Sequence, residues 1–268
     1  MADEEILTHI PDVPVPSHAG GHRLLDLLRV MHRLRAPGGC PWDREQTHQS
    51  LARHLLEETH ETLEAIDSGD PDRLREELGD LLLQVVFHAE MAQEEGGFDA
   101  DDVAEAITRK LIRRHPHVFA DVEVDSAAEV LVNWERIKNE EKGERAVDEE
   151  IPATLPALAR AAKVQRRAAG SGFDWRSVEG AAAKVREELQ EVQEAPPDRV
   201  EEEVGDLLFA AAALGRTLNV DPETALRKAT RRFAERFERM RERAEAEGVT
   251  LDSLSEDELL ERFRAARR

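Results

Sequence analysis

Two sets of clustered acidic residues stand out as the part of the chain best suited to chemistry. Residues 57–61 read Glu-Glu-Thr-His-Glu and residues 77–80 read Glu-Leu-Gly-Asp. The motifs return as Glu-Glu-Leu-Gln-Glu at 187–191 and Glu-Val-Gly-Asp at 203–206, which is 130 and 126 positions later. Acids three residues apart share a helix face, and carboxylates that converge between two helices repel one another unless cations neutralise them. Each set is therefore a candidate magnesium site.

Four carboxylates of each set are the candidate metal ligands. In the C-terminal set they are Glu188, Glu191, Glu203 and Asp206, and in the N-terminal set Glu58, Glu61, Glu77 and Asp80. No Cys or His recurs at equivalent positions of both sets, which disfavours zinc and favours magnesium. One or two such ions would polarise a phosphoryl oxygen, ionise a water molecule and stabilise a leaving diphosphate. A solvated helix face explains one acidic motif alone, but the recurrence of both motifs in order favours a site.

Hydrophobic periodicity, broken at Gly and Pro, predicts the helices that must position these acids. The predicted helices cover about 22–35, 46–67, 71–95, 99–114, 126–142, 155–169, 177–194, 197–218, 221–247 and 255–267. No convincing alternating β pattern occurs, so the predicted fold class is all-α. The acidic helices of each half are joined by short turns and should pack antiparallel. Gly79 and Gly205 interrupt strongly helical stretches, which indicates close approach by a neighbouring helix or a ligand.

The repeat predicts two helical units. Glu-Leu-Gly-Asp-Leu-Leu-Leu at 77–83 matches Glu-Val-Gly-Asp-Leu-Leu-Phe at 203–209. We expect a disordered extension over 1–20, an N-terminal helical domain over 21–142, a linker over 143–156 and a C-terminal helical domain over 157–268.

Composition narrows the functional class. The 268 residues carry a formal net charge of −21, which opposes nucleic-acid binding by counterion release. A single cysteine leaves no intrachain disulfide and suits a reducing cytoplasm. No apolar run approaches the roughly 20 residues of a membrane span, and the N-terminus lacks the basic and apolar regions of a signal peptide. We therefore expect a cytoplasmic protein that binds neither nucleic acid nor membrane.

Taken together, the motifs resemble the MazG family of nucleoside triphosphate pyrophosphohydrolases. The acidic motifs are accompanied by three further stretches: Gly39-Cys-Pro-Trp-Asp43, Arg114-His-Pro-His-Val-Phe-Ala-Asp121 and Gly172-Phe-Asp-Trp175. The resemblance implies two tandem MazG-like helical bundles that form a homodimer. It also implies hydrolysis of NTPs or dNTPs to the monophosphate and pyrophosphate, with Mg²⁺ that Mn²⁺ can replace, in the clearing of unwanted nucleotides. The position of cleavage, between the α- and β-phosphates, rests on the resemblance alone.

The basic residues distinguish the two halves, because a triphosphate carries about four negative charges that the metal alone does not offset. In the C-terminal half the candidate phosphate contacts are Lys184, Arg199, Lys228 and Arg231. The equivalent N-terminal positions hold His54, Arg73, Ala106 and Arg109, so both lysines are lost there. In the family resemblance the C-terminal copy likewise supports hydrolysis. We therefore expect the C-terminal set to be catalytic and the N-terminal set to be inactive, regulatory or structural.

Further candidates for substrate binding surround the C-terminal set. Glu187 or Glu202 would orient the attacking water, and Trp175 would stack on a base, although burial in the core explains Trp175 as well. Family members can carry an aromatic residue near the C-terminus that helps to bind nucleotide. Residues 259–263, Leu-Leu-Glu-Arg-Phe, give no firm assignment of it.

Other functions remain open at the level of sequence. A helical dimerisation or regulatory module with vestigial metal sites is the non-enzymatic alternative. A di-iron bundle requires Glu-x-x-His on two helices, and that spacing occurs only once among the acidic motifs, at 57–60. A narrower pyrophosphatase for deoxynucleotides or damaged nucleotides is a third alternative.

Overall fold

The computed structural model describes residues 22–120, 122–126, 129–130, 133–134, 136–137, 141, 146–149 and 151–267. The chain divides into two compact units, Met1–Glu141 and Lys142–Arg268. Every regular element among the described residues is helical, which confirms the all-α fold class.

Six helices of the N-terminal unit have both ends within the described residues. They are α1 (His22–Arg35), α2 (Pro41–Glu45), α3 (His48–Ser68), α4 (Pro71–Glu94), α5 (Ala100–Arg114) and α6 (Pro116–Phe119). The acidic helices α3 and α4 make the most extensive helix contact of this unit, and α1 and α5 pack on α4. Its core is a cluster of Met31, Leu51, Val86, Phe87 and Met91.

Local signals explain why α3 and α4 form an antiparallel hairpin. The hydroxyl of Thr47 accepts the backbone N–H of Ser50 in a capping box that begins α3. Gly69 ends the helix in the left-handed conformation, with φ of 72°. Asp70 caps α4 and Pro71 occupies its first position, as the sequence predicts. The turn is short, so the two acidic motifs face each other.

The C-terminal unit repeats the hairpin. Its helices are α7 (Ala157–Gly170), α8 (Val178–Glu194), α9 (Val200–Thr217), α10 (Pro222–Ala246) and α11 (Glu256–Ala265), with a 3₁₀ turn at Leu251–Ser253. Helices α8 and α9 pack along their length, α7 packs on α9 and α10, and α11 packs on α10. Small residues are buried on both helices, Ala181 on α8 and Ala210, Ala212 and Ala213 on α9.

Several predictions from sequence need qualification. The expected extension over 1–20 lies outside the described residues, as does much of the expected helix over 126–142. Within that helix, residues 129–130, 133–134, 136–137 and 141 are helical. The chain divides into its two units between residues 141 and 142. The exact limits predicted for the domains and the linker remain a prediction. The expectation of a close helix neighbour at Gly79 and Gly205 is wrong for the described residues, because an added Cβ at either would meet nothing within 4 Å.

Candidate active site

Three acids of the C-terminal set converge between α8 and α9. Each of Glu188, Glu203 and Asp206 offers a carboxylate oxygen, and these oxygens all lie within 4.8 Å of one another. Glu188 and Glu203 are buried, with 5% and 7% of their surface exposed, whereas Asp206 is open to solvent. Antiparallel packing brings position 188 of one helix opposite 203 and 206 of the next. The cluster therefore has a buried floor and one accessible side.

The floor of the cluster contains a carboxylate oxygen whose hydrogen-bonding capacity is unused. One carboxylate oxygen of Glu188, Oε2, is fully buried and accepts no hydrogen bond from a described donor. Leaving such an atom unsatisfied costs about 1–3 kcal/mol, and more when it is charged. A hard divalent cation between the three carboxylates would satisfy it, since oxygen ligands of this kind are those that magnesium prefers. The residues present therefore fit a Mg²⁺ site.

Glu191, the fourth predicted ligand, lies at the edge of the cluster on the exposed side of α8. Partial desolvation, followed by a hydrogen bond to Glu188, raises the pKa of its carboxyl above the ordinary value. The Glu191 carboxyl therefore lies beside that of Glu188. The tight group thus contains three of the four predicted ligands, and Glu191 borders it.

Lys184 lies against the cluster from α8. Its ammonium is 2.7 Å from Oε1 of Glu188 and 2.7 Å from Oε1 of Glu187. Hydrogen bonds to Glu187 and Glu188 raise the pKa of Lys184. The ammonium therefore stays protonated beside the buried carboxylate. Lys184 is one of the phosphate contacts predicted from the sequence.

Arg199 has the same relation to α9. Its Nη2 lies 2.7 Å from Oε1 of Glu203 and its Nε lies 3.1 Å from Oε2 of Glu202. The hydrogen bond to Glu202 and the charges of Glu202 and Glu203 raise the pKa of Arg199. Both predicted basic residues of the hairpin are thus beside buried cluster carboxylates.

The other predicted contacts lie on α10, which packs on α9, and in the segment before α8. Lys228 and Arg231 lie on α10, where Arg231 pairs with Glu235 at 3.8 Å. Trp175 precedes α8 and is 40% exposed. Its Cε3 lies 3.5 Å from the position that a Cβ on Gly180 would take, so the ring rests on the first turn of α8. The residue is therefore surface-accessible and is not part of the core.

An ion pair holds the segment that carries Trp175. Asp174 accepts the backbone N–H of Trp175 at 2.7 Å and pairs with the Arg216 guanidinium near the end of α9. The Arg216 hydrogen bond lowers the pKa of Asp174. This contact ties the residues before α8 to the same helix that carries Glu203 and Asp206.

The N-terminal set forms a second, more open group. Oxygens of Glu58, Glu77 and Asp80 lie within 4.8 Å of one another, and all three residues are half-buried. Desolvation raises the pKa of Glu58, with smaller contributions from Asp80, Glu61 and Glu77. Glu61 is again outside the tight group but close enough to act on it.

The cations beside the N-terminal group differ from those of the C-terminal one. His54 pairs with Glu57 at 3.1 Å, and it occupies the position of Lys184. Arg73 lies 3.6 Å from Glu77 and 3.1 Å from Glu64 on the facing helix. On α5, Arg109 pairs with Glu105 of its own helix. Positive charge is therefore weaker and more distant from these carboxylates.

A basic and aromatic pocket between α10 and α11 was not predicted from the sequence. Its volume is about 530 Å³, and its lining includes Arg232, Phe233, Arg236, Arg239, Phe263 and Arg267. The Phe233 and Phe263 rings lie 5.1 Å apart, and the Arg236 guanidinium lies 4.0 Å from the centre of the Phe263 ring. Clustered arginines in a chain of net charge −21 are the sequence signal that could have indicated it.

Arg236 is surrounded by other positive charges in this pocket. Desolvation, followed by repulsion from Arg267, Arg239 and Arg264, lowers the pKa of its guanidinium. Its Nη2 is buried and finds no hydrogen-bond acceptor among the described residues. Such an arrangement favours an anionic ligand that would join these guanidinium groups.

Comparison with known proteins agrees with this geometry. Residues 46–119 match the family described as MazG nucleotide pyrophosphohydrolase domain, and residues 155–233 match phosphoribosyl-ATP pyrophosphohydrolase. Each matched segment contains one acidic hairpin. The two halves thus match two different pyrophosphohydrolase families.

Whole-chain relatives extend the match. A nucleoside triphosphate pyrophosphohydrolase/pyrophosphatase MazG of Thermotoga maritima is 49% identical over 245 residues, covering 90% of this chain and 94% of that protein. A nucleoside triphosphate pyrophosphohydrolase of Escherichia coli K12 is 47% identical over 252 residues, covering 90% of this chain and 96% of its own. The protein is an all-α tandem pyrophosphohydrolase. It belongs to the MazG family of nucleoside triphosphate pyrophosphohydrolases, which confirms the resemblance found in the sequence.

One related protein shares a shorter stretch. The nucleoside triphosphate pyrophosphohydrolase of Mycobacterium tuberculosis is 46% identical over 163 residues, which is 60% of this chain and 49% of that protein. In addition, none of the described helices combines the length and apolar character needed to cross a membrane.

Proposed function

We propose that the C-terminal cluster hydrolyses nucleoside triphosphates, in the ribo or deoxy form, to nucleoside monophosphate and pyrophosphate. The observation that carries this proposal is the convergence of Glu188, Glu203 and Asp206, with basic residues beside both glutamates and one buried Glu188 oxygen that accepts no bond from a described donor. Mg²⁺, with Mn²⁺ as a substitute, is the cofactor that these oxygen ligands suit best.

Different residues of the C-terminal cluster would bind the metal and orient the water. Glu188, Glu203 and Asp206 hold the metal, and Glu191 completes the set from the edge. When bound, Mg²⁺ would make the attacking water more acidic and would offset charge on the phosphates. The water oxygen forms a bond to the α-phosphorus, the bond from that phosphorus to the bridging oxygen breaks, and pyrophosphate leaves with that oxygen. Glu187 or Glu202 would orient the attacking water, whose proton passes to the solvent.

Positive side chains offset the remaining charge of the substrate. Lys184 and Arg199 lie at the cluster itself, and Lys228 and Arg231 of α10 supply further phosphate contacts. These groups stabilise charge that grows on the leaving diphosphate in the transition state. The N-terminal group lacks the equivalent lysines, which supports a regulatory or structural role for Glu58, Glu61, Glu77 and Asp80.

Aromatic residues offer two surfaces for the nucleoside. Phe263, stacked against Arg236 in a pocket of about 530 Å³, supplies an aromatic face beside guanidinium groups. We assign it as the C-terminal aromatic that the sequence left without a firm position. Trp175, whose ring rests against the first turn of α8, is the second surface. Rings of this kind bind any base through its π-face.

The homodimer is supported by apolar side chains that recur on the outside of both hairpins. Leu78 and Leu82 of α4 are 48% and 41% exposed. Val204 and Leu208 occupy the same repeat positions on α9 and are 38% and 52% exposed. An apolar stripe retained in both halves is typical of a protein interface. We propose that a second copy of the chain covers it.

The cellular role follows from the substrate. Hydrolysis to the monophosphate removes a nucleotide from the triphosphate pool, so we propose a role in clearing unwanted nucleotides. The single cysteine is suited to the reducing cytoplasm, where we place the protein.

Product analysis tests the reaction. Purified protein is incubated with each NTP and dNTP, with Mg²⁺ present or chelated, and the products are separated. We expect monophosphate and pyrophosphate in equal amounts, lost on chelation. Diphosphate and phosphate would contradict the cleavage position. No turnover with any nucleotide would instead favour the non-enzymatic dimerisation or regulatory module.

A further inference from the structure

Each basic residue of the C-terminal hairpin is shared between two consecutive glutamates. Lys184 lies 2.7 Å from the buried Glu188 and 2.7 Å from the exposed Glu187. We call Lys184 and Arg199 the resident cations, and Glu187 and its counterpart Glu202 the outer carboxylates. The first resident cation thus has one partner in the metal cluster and one outside it.

The second resident cation repeats this arrangement on α9. Arg199 lies 2.7 Å from the buried Glu203 and 3.1 Å from the exposed Glu202. In both cases the outer carboxylate is three residues after the base, and the cluster carboxylate is four residues after it. The same motif, a basic residue followed three and four positions later by glutamates, therefore occurs at both α8 and α9. We call this motif the device.

Burial explains why the cluster needs resident cations. Glu188 and Glu203 have 5% and 7% of their surface exposed, and an ionised carboxylate at such a depth requires a compensating charge. Lys184 and Arg199 supply that charge in the absence of metal. A divalent cation at the same oxygens would repel both of them, because like charges a few ångström apart interact strongly in a partly buried site.

We propose that the resident cations hold the place of the metal. Lys184 and Arg199 neutralise the buried carboxylates before metal binding. They then move onto the outer carboxylates Glu187 and Glu202, where they remain charged, close to the cluster and ready to contact the phosphates. Glu187 and Glu202 are positioning residues in this account. It rests on metal binding at the cluster, as proposed above.

The N-terminal half lacks the device. His54 stands in place of the lysine and pairs with the outer Glu57 at 3.1 Å. Arg73 lies 3.6 Å from Glu77 and bonds Glu64 on the facing helix in place of an outer carboxylate of its own helix. The matched pair of resident cations is thus specific to the C-terminal half.

The first test compares Lys184→Met with Arg186→Met, without nucleotide. Arg186 is exposed and two residues further along α8, so it points to the other side of the helix while its loss changes the net charge equally. Calorimetry should show magnesium binding about tenfold tighter in Lys184→Met, since a competing charge is gone. Thermal unfolding without metal should occur at a lower temperature in that variant only.

Equal magnesium affinities in the two variants, or weaker binding in Lys184→Met, would overturn the proposal. The outcome is separable from failure of the proposed function. Wild-type protein that neither binds Mg²⁺ nor releases pyrophosphate would contradict the function itself. Wild-type protein that does both, without a difference between these variants, would contradict the place-holding role alone.

The second test keeps the buried pairs intact and therefore the fold. Glu202→Gln is compared with Glu201→Gln, since both remove one exposed charge from the first turn of α9. Without its outer carboxylate, Arg199 loses its hydrogen-bonded partner outside the metal cluster. Magnesium binding should weaken about threefold more in Glu202→Gln than in Glu201→Gln. Equal affinities would overturn the assignment of Glu202.

Discussion

At the scale of single residues, the carboxylates and their cations were predictable because their spacing is local. Residues three or four apart on a helix are neighbours, so the positions of Lys184, Glu187 and Glu188 relative to one another follow from α8 alone. The difference between the three converging acids and Glu191 at the edge was not predictable. It depends on the rotation and offset of α9, which no local pattern encodes.

The arginine and phenylalanine pocket was missed for a similar reason. Arg236 and Phe263 are 27 positions apart and lie on different helices, and each alone resembles an ordinary surface or core residue. Only the packing of α11 on α10 brings them together. The run of arginines in an acidic chain was a usable signal for an anion site.

A prediction at this scale concerns Phe263. Phe263→Ala removes the aromatic face beside Arg236 and should raise KM for nucleoside triphosphates roughly tenfold, because a stacked base contributes about 1–3 kcal/mol. The value of kcat should change less, since the metal cluster is untouched. Steady-state kinetics with ATP and GTP measure both constants. The control is Phe173→Ala, in a side chain 84% exposed, and equal effects of the two changes would contradict the assignment.

At the scale of elements, periodicity and capping predicted the long helices well. Asp70 and Pro71 begin α4, and Gly69 ends α3, as the start and stop signals indicate. Helices α2 and α6 were missed because five and four residues are too few to show a period. The predicted start of α9 at 197 differs from the observed start at Val200, since the two prolines begin a turn before the helix.

An element-scale prediction concerns the end of α5. Arg114 and Arg113 bond Glu141, and these bonds lower the pKa of the Glu141 carboxyl from 4.5 to about 2. The folded pKa lies below the unfolded one, so the stabilisation is complete above pH 4.5 and is lost as the pH falls towards 2.

Glu141→Gln should therefore lower the stability of the N-terminal unit at pH 7 and have little effect near pH 2. Urea unfolding followed between these pH values would measure the difference. Glu123→Gln, an exposed change in the same unit, is the control. A Glu141→Gln difference that is independent of pH would contradict this interpretation.

At the scale of the whole molecule, the duplicated hairpin is the organising feature. The halves match different family models, yet both retain an acidic group and an exposed apolar stripe. Sequence alone gave the duplication through the 126-residue spacing of the Gly-Asp motifs. The exposure of the stripe required the structure, because Leu78 and Leu82 have the spacing of core residues.

A whole-molecule prediction follows for assembly. Leu82→Glu places a charge in the stripe and should convert dimers to monomers, since burying an unpaired charge is costly. Sedimentation velocity would measure the change. Leu24→Glu, in an exposed leucine of α1, should leave the dimer intact. A wild-type monomer, or equal effects of both changes, would contradict this interface.

The assignment of catalysis to the C-terminal half is tested most directly by a matched pair of variants. Glu203→Gln and Glu77→Gln change the same repeat position in the two halves, and pyrophosphate release is measured for each with Mg²⁺ and a nucleoside triphosphate. Glu203→Gln should reduce the turnover by about 100-fold or more. The variant loses a metal ligand, and the metal stabilises charge in the transition state by several kcal/mol. Glu77→Gln should retain most of it. A folded Glu77→Gln protein without activity, beside an active Glu203→Gln protein, would contradict the account.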